Sequence, residues 1–488
     1  MLRKLVTLTA IGARATAIAQ WDDAGFAPQD VLHRDVVIIG GGSSGTYGAV
    51  RLREDFKKSI VVIEKDDHLG GHVNTYIDPV SGVAIDYGVE TFLRYGNAVS
   101  YFQRFDIPIT PYGSAPLPSV FLSTTDGSNL TAYSPPAFSE VTAAFQRWLN
   151  ITTTYERQFG PGLWDFFAPG TIPEELLTPF GEFAVERNLT AAIPLFQTIS
   201  NVGVGGISDV LTLQVILAMG EPVTREFLNS SLFVPANHSN SYLYERAYDL
   251  LKEDVLLSSE ATAVHRTDSG VSLVVKSRNG TRKLIKAKQL LFTPPPSKEN
   301  LALYGLDANE TAAISTFSKT WSFAAVARIP AIPSGINVYW TSPDAVPDGP
   351  LGIRNNPWTL LATTAPNVPA EEHLFEVLFA SESDQPYTHE QAKAKITAEV
   401  QQAFKAGSFG VGNGTADCTV DFVAFADHNS ILWRQNATTL QNGIVQDVYK
   451  LQGRKSTWFT GGLWSEDYSG NVWAFTDTVI PRILEKLA

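Results

Sequence analysis

The chain has 488 residues, 44% of them hydrophobic and 18% charged, enough apolar material for a large core and too little charge for a disordered chain. Its net charge is −13, and no basic run is longer than Lys57-Lys58 or Arg282-Lys283, which speaks against nucleic-acid binding and against affinity for anionic membranes. A single cysteine, Cys418, rules out an intramolecular disulfide and cysteine-based zinc or iron–sulfur centres.

The first nineteen residues read as a secretory signal. Arg3 and Lys4 form a basic start, Leu5 to Ile11 an apolar run, and Ala17-Ile18-Ala19 a small-x-small cleavage site before Gln20. No later segment reaches the roughly 20 uninterrupted apolar residues of a membrane span. N-x-Ser/Thr acceptors occur at Asn129, Asn150, Asn188, Asn229, Asn237, Asn279, Asn309, Asn413 and Asn436. Chance predicts roughly three from this composition, so the excess supports passage through the secretory pathway.

Residues 36–39 form an apolar run that reads as a buried parallel strand. It enters Gly40-x-Gly42-x-x-Gly45, and helical spacing follows over 46–56. A second apolar run, 60–63, ends in Glu64, nineteen residues after Gly45. This is a complete βαβ dinucleotide fingerprint. Gly40 serves the tight turn, Gly42 and Ser44 the approach to a pyrophosphate, and Gly45 the close packing of helix on strand. Glu64 can accept both hydroxyls of an adenosine ribose and repels a 2′-phosphate, which disfavours NADP. The motif alone leaves NAD and FAD open.

The next segments carry a family resemblance. Leu69-Gly70-Gly71-His72-Val73-Asn74-Thr75 is followed by Asp86-Tyr87-Gly88-Val89-Glu90-Thr91, and near the C-terminus Thr457-Trp458-Phe459-Thr460-Gly461-Gly462 precedes a final helix over about 474–487. The set resembles amine-oxidase-like flavoproteins, with His72 where that family most often has Arg and Gly462 where many relatives carry an acid. Together with Leu451-Gln452-Gly453-Arg454 and Trp473-Ala474-Phe475-Thr476, it is most similar to the β-cyclopiazonate dehydrogenase family of fungal flavoenzymes. The resemblance implies FAD as cofactor, held by Gly70, Gly71, His72, Thr460 and Gly461 besides the first loop. It also implies adenine contact through the backbone of Val264. Read only from the residues, the alternative for His72 is a surface loop histidine.

The resemblance implies an α/β, two-domain flavoprotein, with a Rossmann-type FAD domain from 34–110, 241–300 and 441–488. A mixed sheet-plus-helix substrate domain comes from 111–240 and 301–440. The first insertion shows helical stretches near 136–150, 173–187 and 208–219, with a glycine-rich turn at Gly203-Val204-Gly205-Gly206. Alternation of Val271, Leu273 and Val275 with Asn279-Gly280 reads as a β-meander, and prolines 294–296 stop the strand that leaves it. The second insertion shows strands over 321–329, 336–340, 374–380 and 419–426, and a helix over 388–406.

Metal-ligand spacing is absent among the eight histidines, and no Gly-x-Ser-x-Gly elbow occurs. Asp427-His428 reads either as an acid/base pair or as a hydrogen-bonded loop histidine, so His428 is a weak catalytic candidate. Cys418 reads as a small buried residue rather than a flavin tether. Trp464 and Trp473 read either as core or as the aromatic wall of a substrate pocket. The function expected is FAD-dependent hydride abstraction from a small apolar secondary metabolite, an alkaloid, terpenoid or prenylated polyketide, with oxidative cyclisation as an extension. A secreted flavin amine oxidase or double-bond isomerase is the alternative, and a non-catalytic flavoprotein-like binder ranks last.

Overall fold

The computed structural model describes residues 23–113, 116–199, 207–355, 358–381, 387–410, 418–432, 434–466 and 468–488. The signal-like residues 1–19 and the glycine-rich turn 203–206 lie outside these. The apolar 36–39 run is the end of β1 (Val31–Ile39), whose Val36, Val37 and Ile38 are fully buried. Helix α1 (Ser43–Val50) follows and ends in a π-turn, Arg51–Asp55. Then come β2 (Ile60–Ile63), a hairpin of β3 (Val73–Ile77) and β4 (Ala84–Gly88), β5 (Ile109–Pro111) and β6 (Ser119–Ser123).

A helical stretch opens with α2 (Phe138–Thr154) and closes at β7 (Phe233–Pro235) and α3 (Ser241–Leu251). The meander is β8 (Val255–Leu256), β9 (Ser259–Thr267), β10 (Gly270–Ser277) and β11 (Arg282–Phe292). The second insertion holds β12 (Ser318–Arg328), β13 (Asn337–Thr341), β14 (Thr359–Thr364), β15 (Leu374–Ser381), α4 (His389–Lys405), β16 (Asp421–Asp427) and β17 (Ser430–Leu432). The chain ends on β18 (Thr457–Phe459) and α5 (Ser469–Leu487).

Two seven-stranded sheets result. The first has the order β8-β2-β1-β11-β10-β9, with β18 on β11. Strands β2, β1, β11 and β18 run parallel, so Ile63, Ile39, Phe292 and Phe459 end along one rim. In open α/β sheets ligands bind in the crevice beyond such carboxyl ends. The second sheet has the order β16-β12-β15-β14-β13-β6, with β17 on β12. Helix α4 backs it, burying Ala392, Ile396, Val400 and Ala403 at helical spacing against Phe323, Phe375 and Phe379. Thr388 caps α4, accepting from Gln391 N–H at 3.2 Å while Gln391 Oε1 accepts from Thr388 N–H at 2.9 Å.

Three differences from the sequence reading have local causes. The 173–187 stretch divides into a 3-10 turn, Glu174–Leu177, and a helix, Phe180–Glu186, because Pro179 keeps Thr178 extended. The 208–219 stretch is a 3-10 turn, Ile207–Asp209, and a five-residue helix, Thr212–Ile216; Gly220 and Pro222 then start a new helix, Glu221–Leu228. The final helix begins at Ser469, five residues before position 474. The helices of the first insertion, through Phe145, Trp148, Phe180 and Ile216, share one core with Val36 and Leu290 of the first sheet; only β6 of that insertion joins the second sheet.

Candidate functional site

The rim of the first sheet carries the glycine loop. At Gly45 a Cβ would stand 1.9 Å from Gly40 O, so no other residue lets α1 start this close to β1. Thr46 Oγ1 donates to Gly41 O at 2.7 Å and locks the turn. The first N–H groups of α1 then point out of the rim, where they and the helix dipole favour an anion. Ser44 is buried in the first turn of α1. Beside it, Ser43 Oγ meets Ser469 Oγ at 3.2 Å and accepts from Tyr244 OH at 3.1 Å, joining α1 to α5 and α3.

Glu64 is buried at the end of β2. Its Oε2 accepts from Gly41 N–H at 2.5 Å and its Oε1 from Asp66 N–H at 2.8 Å. Each oxygen retains a second lone pair, and these two acceptors match the two hydroxyls of a ribose. The Gly70-Gly71 loop lies on the glycine loop: Gly70 N–H donates to Gly41 O at 2.9 Å, and a Cβ at Gly71, where φ is +61°, would stand 2.9 Å from Gly42 Cα. The C-terminal Thr460-Gly461 reaches the same place through β18. Thr460 N–H donates to Phe292 O at 3.1 Å, while Thr293 N–H donates to Ile39 O at 3.0 Å. The Thr460 hydroxyl is spent on Thr476 Oγ1 at 2.7 Å, leaving its backbone to face the crevice.

Val264 is placed elsewhere. The segment bonded to the Glu64 end is Ser258-Ser259, whose N–H groups donate to Asp66 O at 2.7 Å and Glu64 O at 2.8 Å. Val264 stands five residues further along β9, about 17 Å at strand rise, and packs on the core.

Trp464 and Trp473 are core residues, which corrects their reading as a pocket wall. Trp473 is 0% exposed, stacked between Tyr47 at 5.5 Å and Phe92 at 5.8 Å, with its indole N–H on Ser43 O at 3.2 Å. Trp464 is 1% exposed and stacks on Phe459 at 5.5 Å and Phe475 at 6.3 Å. Their ring faces are already covered. Asp427 and His428 do not form a pair either. Successive residues at a strand end point to opposite faces. Asp427 accordingly meets His389 of α4, whereas His428 turns inward and stacks on His72 with ring centroids 4.7 Å apart. Cys418 is half-buried against the core of the second sheet.

His72 keeps accessible surface, with one ring face against His428. Burial, with the charge of Lys65 adding, pushes its imidazole below the usual value. Burial, and then His72, hold His428 well below it. Both rings are neutral at pH 7.

Next to His72 in the fold stands a group of side chains that the sequence reading left unassigned. Glu90 follows the Gly88 turn, with Val89 N–H on His72 O at 3.3 Å, and accepts from Tyr112 OH at 3.3 Å. Burial raises the Glu90 carboxyl. Glu376 of β15 is raised well above the carboxylate range by burial first and then by Glu90 and Asp86. Asp86 is pushed up to about 7 by burial, against bonds from Thr75 Oγ1 and Asn240 N–H. Tyr339 of β13 interacts with Glu90 and also lines an apolar recess with Phe121, Tyr133, Pro194, Ile353 and Leu360. Two sequence signals pointed here: a lone charge in the apolar 374–380 run, and Glu90 inside the cofactor motif.

Comparison with known proteins follows this geometry. A family model for NAD(P)-binding Rossmann-like domains matches residues 38–105. The chain is 31% identical to β-cyclopiazonate dehydrogenase of Aspergillus oryzae over 94% of its own length and 95% of that protein. It belongs to that family of FAD-dependent oxidoreductases. Another relative in the family, the FAD-dependent oxidoreductase pigF of Monascus ruber, is 28% identical, with all of both chains covered. Among solved structures, the CLA-producing fatty acid isomerase from P. acnes superposes with a TM-score of 0.66 at 17% identity, covering 92% of this chain and 98% of that one. That likeness concerns the two-domain fold. No helix among the described residues is long and apolar enough to cross a membrane.

Proposed function

We propose that the protein uses FAD to oxidise a C–H bond of a small apolar secondary metabolite, an alkaloid, terpenoid or prenylated polyketide. The observation that carries this reading is convergence: the glycine loop, Glu64, Gly70-Gly71 and Thr460-Gly461 meet at the carboxyl ends of β1, β2, β11 and β18. The cradle fits the cofactor: the N-terminus of α1 would face a pyrophosphate, each Glu64 oxygen keeps a second lone pair, and Gly40, Gly45 and Gly71 leave no room for a side chain. FAD, when bound, supplies the two-electron acceptor for a hydride. The protein binds and orients. Phe121, Tyr133 and Leu360 line an apolar recess with Tyr339, and Glu90 accepts from Tyr112 OH at 3.3 Å. Ring closure follows when an internal nucleophile of the substrate traps the oxidised carbon. The test is anaerobic bleaching of the bound flavin by candidate metabolites, with product analysis. Bleaching by an apolar metabolite of these classes without release of an aldehyde supports the reading; bleaching only by simple amines, with release of an aldehyde, contradicts it.

A second reading, an amine oxidase, has one observation in its favour. Among the described residues Asp86, Glu90 and Glu376 form no ion pair with Lys or Arg, and such a group suits a protonated amine. Release of hydrogen peroxide and an aldehyde from amines identifies it.

We also infer entry into the secretory pathway. All eight described acceptor asparagines, from Asn129 to Asn436, are exposed, and the ninth, Asn413, lies outside the described residues. Deglycosylation of protein made in a eukaryotic host should raise its gel mobility. A native N-terminus at Met1 without glycan would refute the inference.

A further inference from the structure

The chain leaving β16 is pinned three times in succession to the second sheet and its helix. Asp427 meets His389. His428 N–H donates to Ser322 O at 2.8 Å, and Asn429 Oδ1 accepts from Ser322 N–H at 3.0 Å. The mount is rigid, and the ring it carries is 7% exposed. That ring fills a notch over Gly88, where a Cβ would stand 1.7 Å from His428 Cε1. It lies parallel to His72, with 13° between the planes. Asn74 of β3 completes the enclosure. Its Nδ2 donates to Gly71 O at 3.3 Å and lies 3.2 Å from His428 Nε2. An amide nitrogen only donates, so His428 Nε2 is the acceptor and the ring proton is assigned to Nδ1.

The His428 ring is taken up on three sides: its acceptor nitrogen is occupied, one edge fills the Gly88 notch and one face is covered by His72. These ring contacts belong to the cofactor side of the molecule, while the backbone is held by Ser322 of the second sheet. We propose that His428 is a positioning residue: delivered from the substrate domain, it clamps His72 and the Gly71 carbonyl through Asn74, and so fixes the loop that holds the cofactor. The charged groups facing the pair are Lys65, beyond β2, and Asp427, beyond His428 itself. The inference rests on FAD as the cofactor, and its consequence is that cofactor retention depends on a residue of the substrate domain.

The test uses the purified full-length chain stripped of cofactor. FAD affinity is measured by fluorescence quenching, and the His72 ring is followed by its imidazole 15N resonances before FAD is added. Removing one ring stack and one neutral hydrogen bond in His428→Ala should weaken FAD about tenfold. His428→Phe, which refills the notch and the stack without the acceptor, should recover part of that loss. In a His72→Ala background, His428→Ala should cost clearly less than in wild type, because only the Asn74 arm then remains to be lost. The His72 resonances should shift in His428→Ala already without FAD. Unchanged FAD affinity and unchanged His72 resonances in His428→Ala, or independent multiplying effects of the two alanine variants, would overturn the proposal. Failure of the wild type itself to bind FAD would count against the cofactor reading instead, and the cofactor-free resonances would still decide whether His428 holds His72.

Discussion

Replacing Glu64 by glutamine tests the cofactor cradle at its best-defined contact. The carboxylate receives Gly41 N–H at 2.5 Å and Asp66 N–H at 2.8 Å, one on each oxygen, in a buried setting. Glutamine keeps one oxygen and places an NH2 where the other stood. One of the two loop N–H groups then faces a donor instead of an acceptor, and a ribose hydroxyl loses an ionised partner. A hydrogen bond to a charged group is worth about 1.5–3 kcal/mol, so FAD affinity should fall roughly tenfold to 150-fold. Titration of the cofactor-free protein with FAD, followed by flavin fluorescence, reads this directly. A thermal scan without FAD separates cofactor loss from unfolding. Equal FAD affinity in Glu64→Gln and wild type would show that the ribose does not bind at Glu64.

Three further outcomes follow from the same coordinates. Gly45→Ala should purify without FAD, because the new Cβ would lie 1.9 Å from Gly40 O and force α1 away from β1; cofactor content per chain by absorbance checks it. Arg266 is buried with Glu310 at 2.9 Å, so Arg266→Met should cost about 3–5 kcal/mol by leaving a buried carboxylate, offset in part by Lys455 at 3.2 Å; urea unfolding measures it. Asp86, pushed up to about 7 in the folded chain from its ordinary 3.8, binds its proton more tightly folded than unfolded. Its contribution is therefore full below about pH 4 and lost as pH rises through about 7, and urea midpoints between pH 5 and 8 should fall less steeply in Asp86→Asn than in wild type.

The cofactor half of the molecule was legible because each residue there answers a local demand. The apolar 36–39 run, Gly45 against Gly40 and Glu64 at the end of β2 are each set by neighbours within one βαβ unit. The second sheet was half legible. Strand β14 (Thr359–Thr364) has six apolar or threonine positions, all buried or half-buried, with no alternation strong enough to mark it, and β6 is placed by parallel pairing with β13, far away in sequence. The aromatic flanks were ambiguous for a physical reason. Trp473 between Tyr47 and Phe92 has the same sequence signature whether its face meets protein or ligand. The imidazole stack was hidden by distance: Asn74 and His428 are 354 residues apart in sequence, and neither has a local reason to meet the other. Glu90 and Glu376 are 286 residues apart in sequence, and only the fold brings them close enough for Glu90 to act on Glu376.

The central claim is that the rim of the first sheet holds FAD. It is tested most directly by denaturing the purified protein and identifying the released chromophore by chromatography and mass. The account predicts one FAD per chain, retained by wild type and lost from Gly45→Ala. Protein without flavin absorbance that releases no FAD, or that binds NAD in its place, would contradict it.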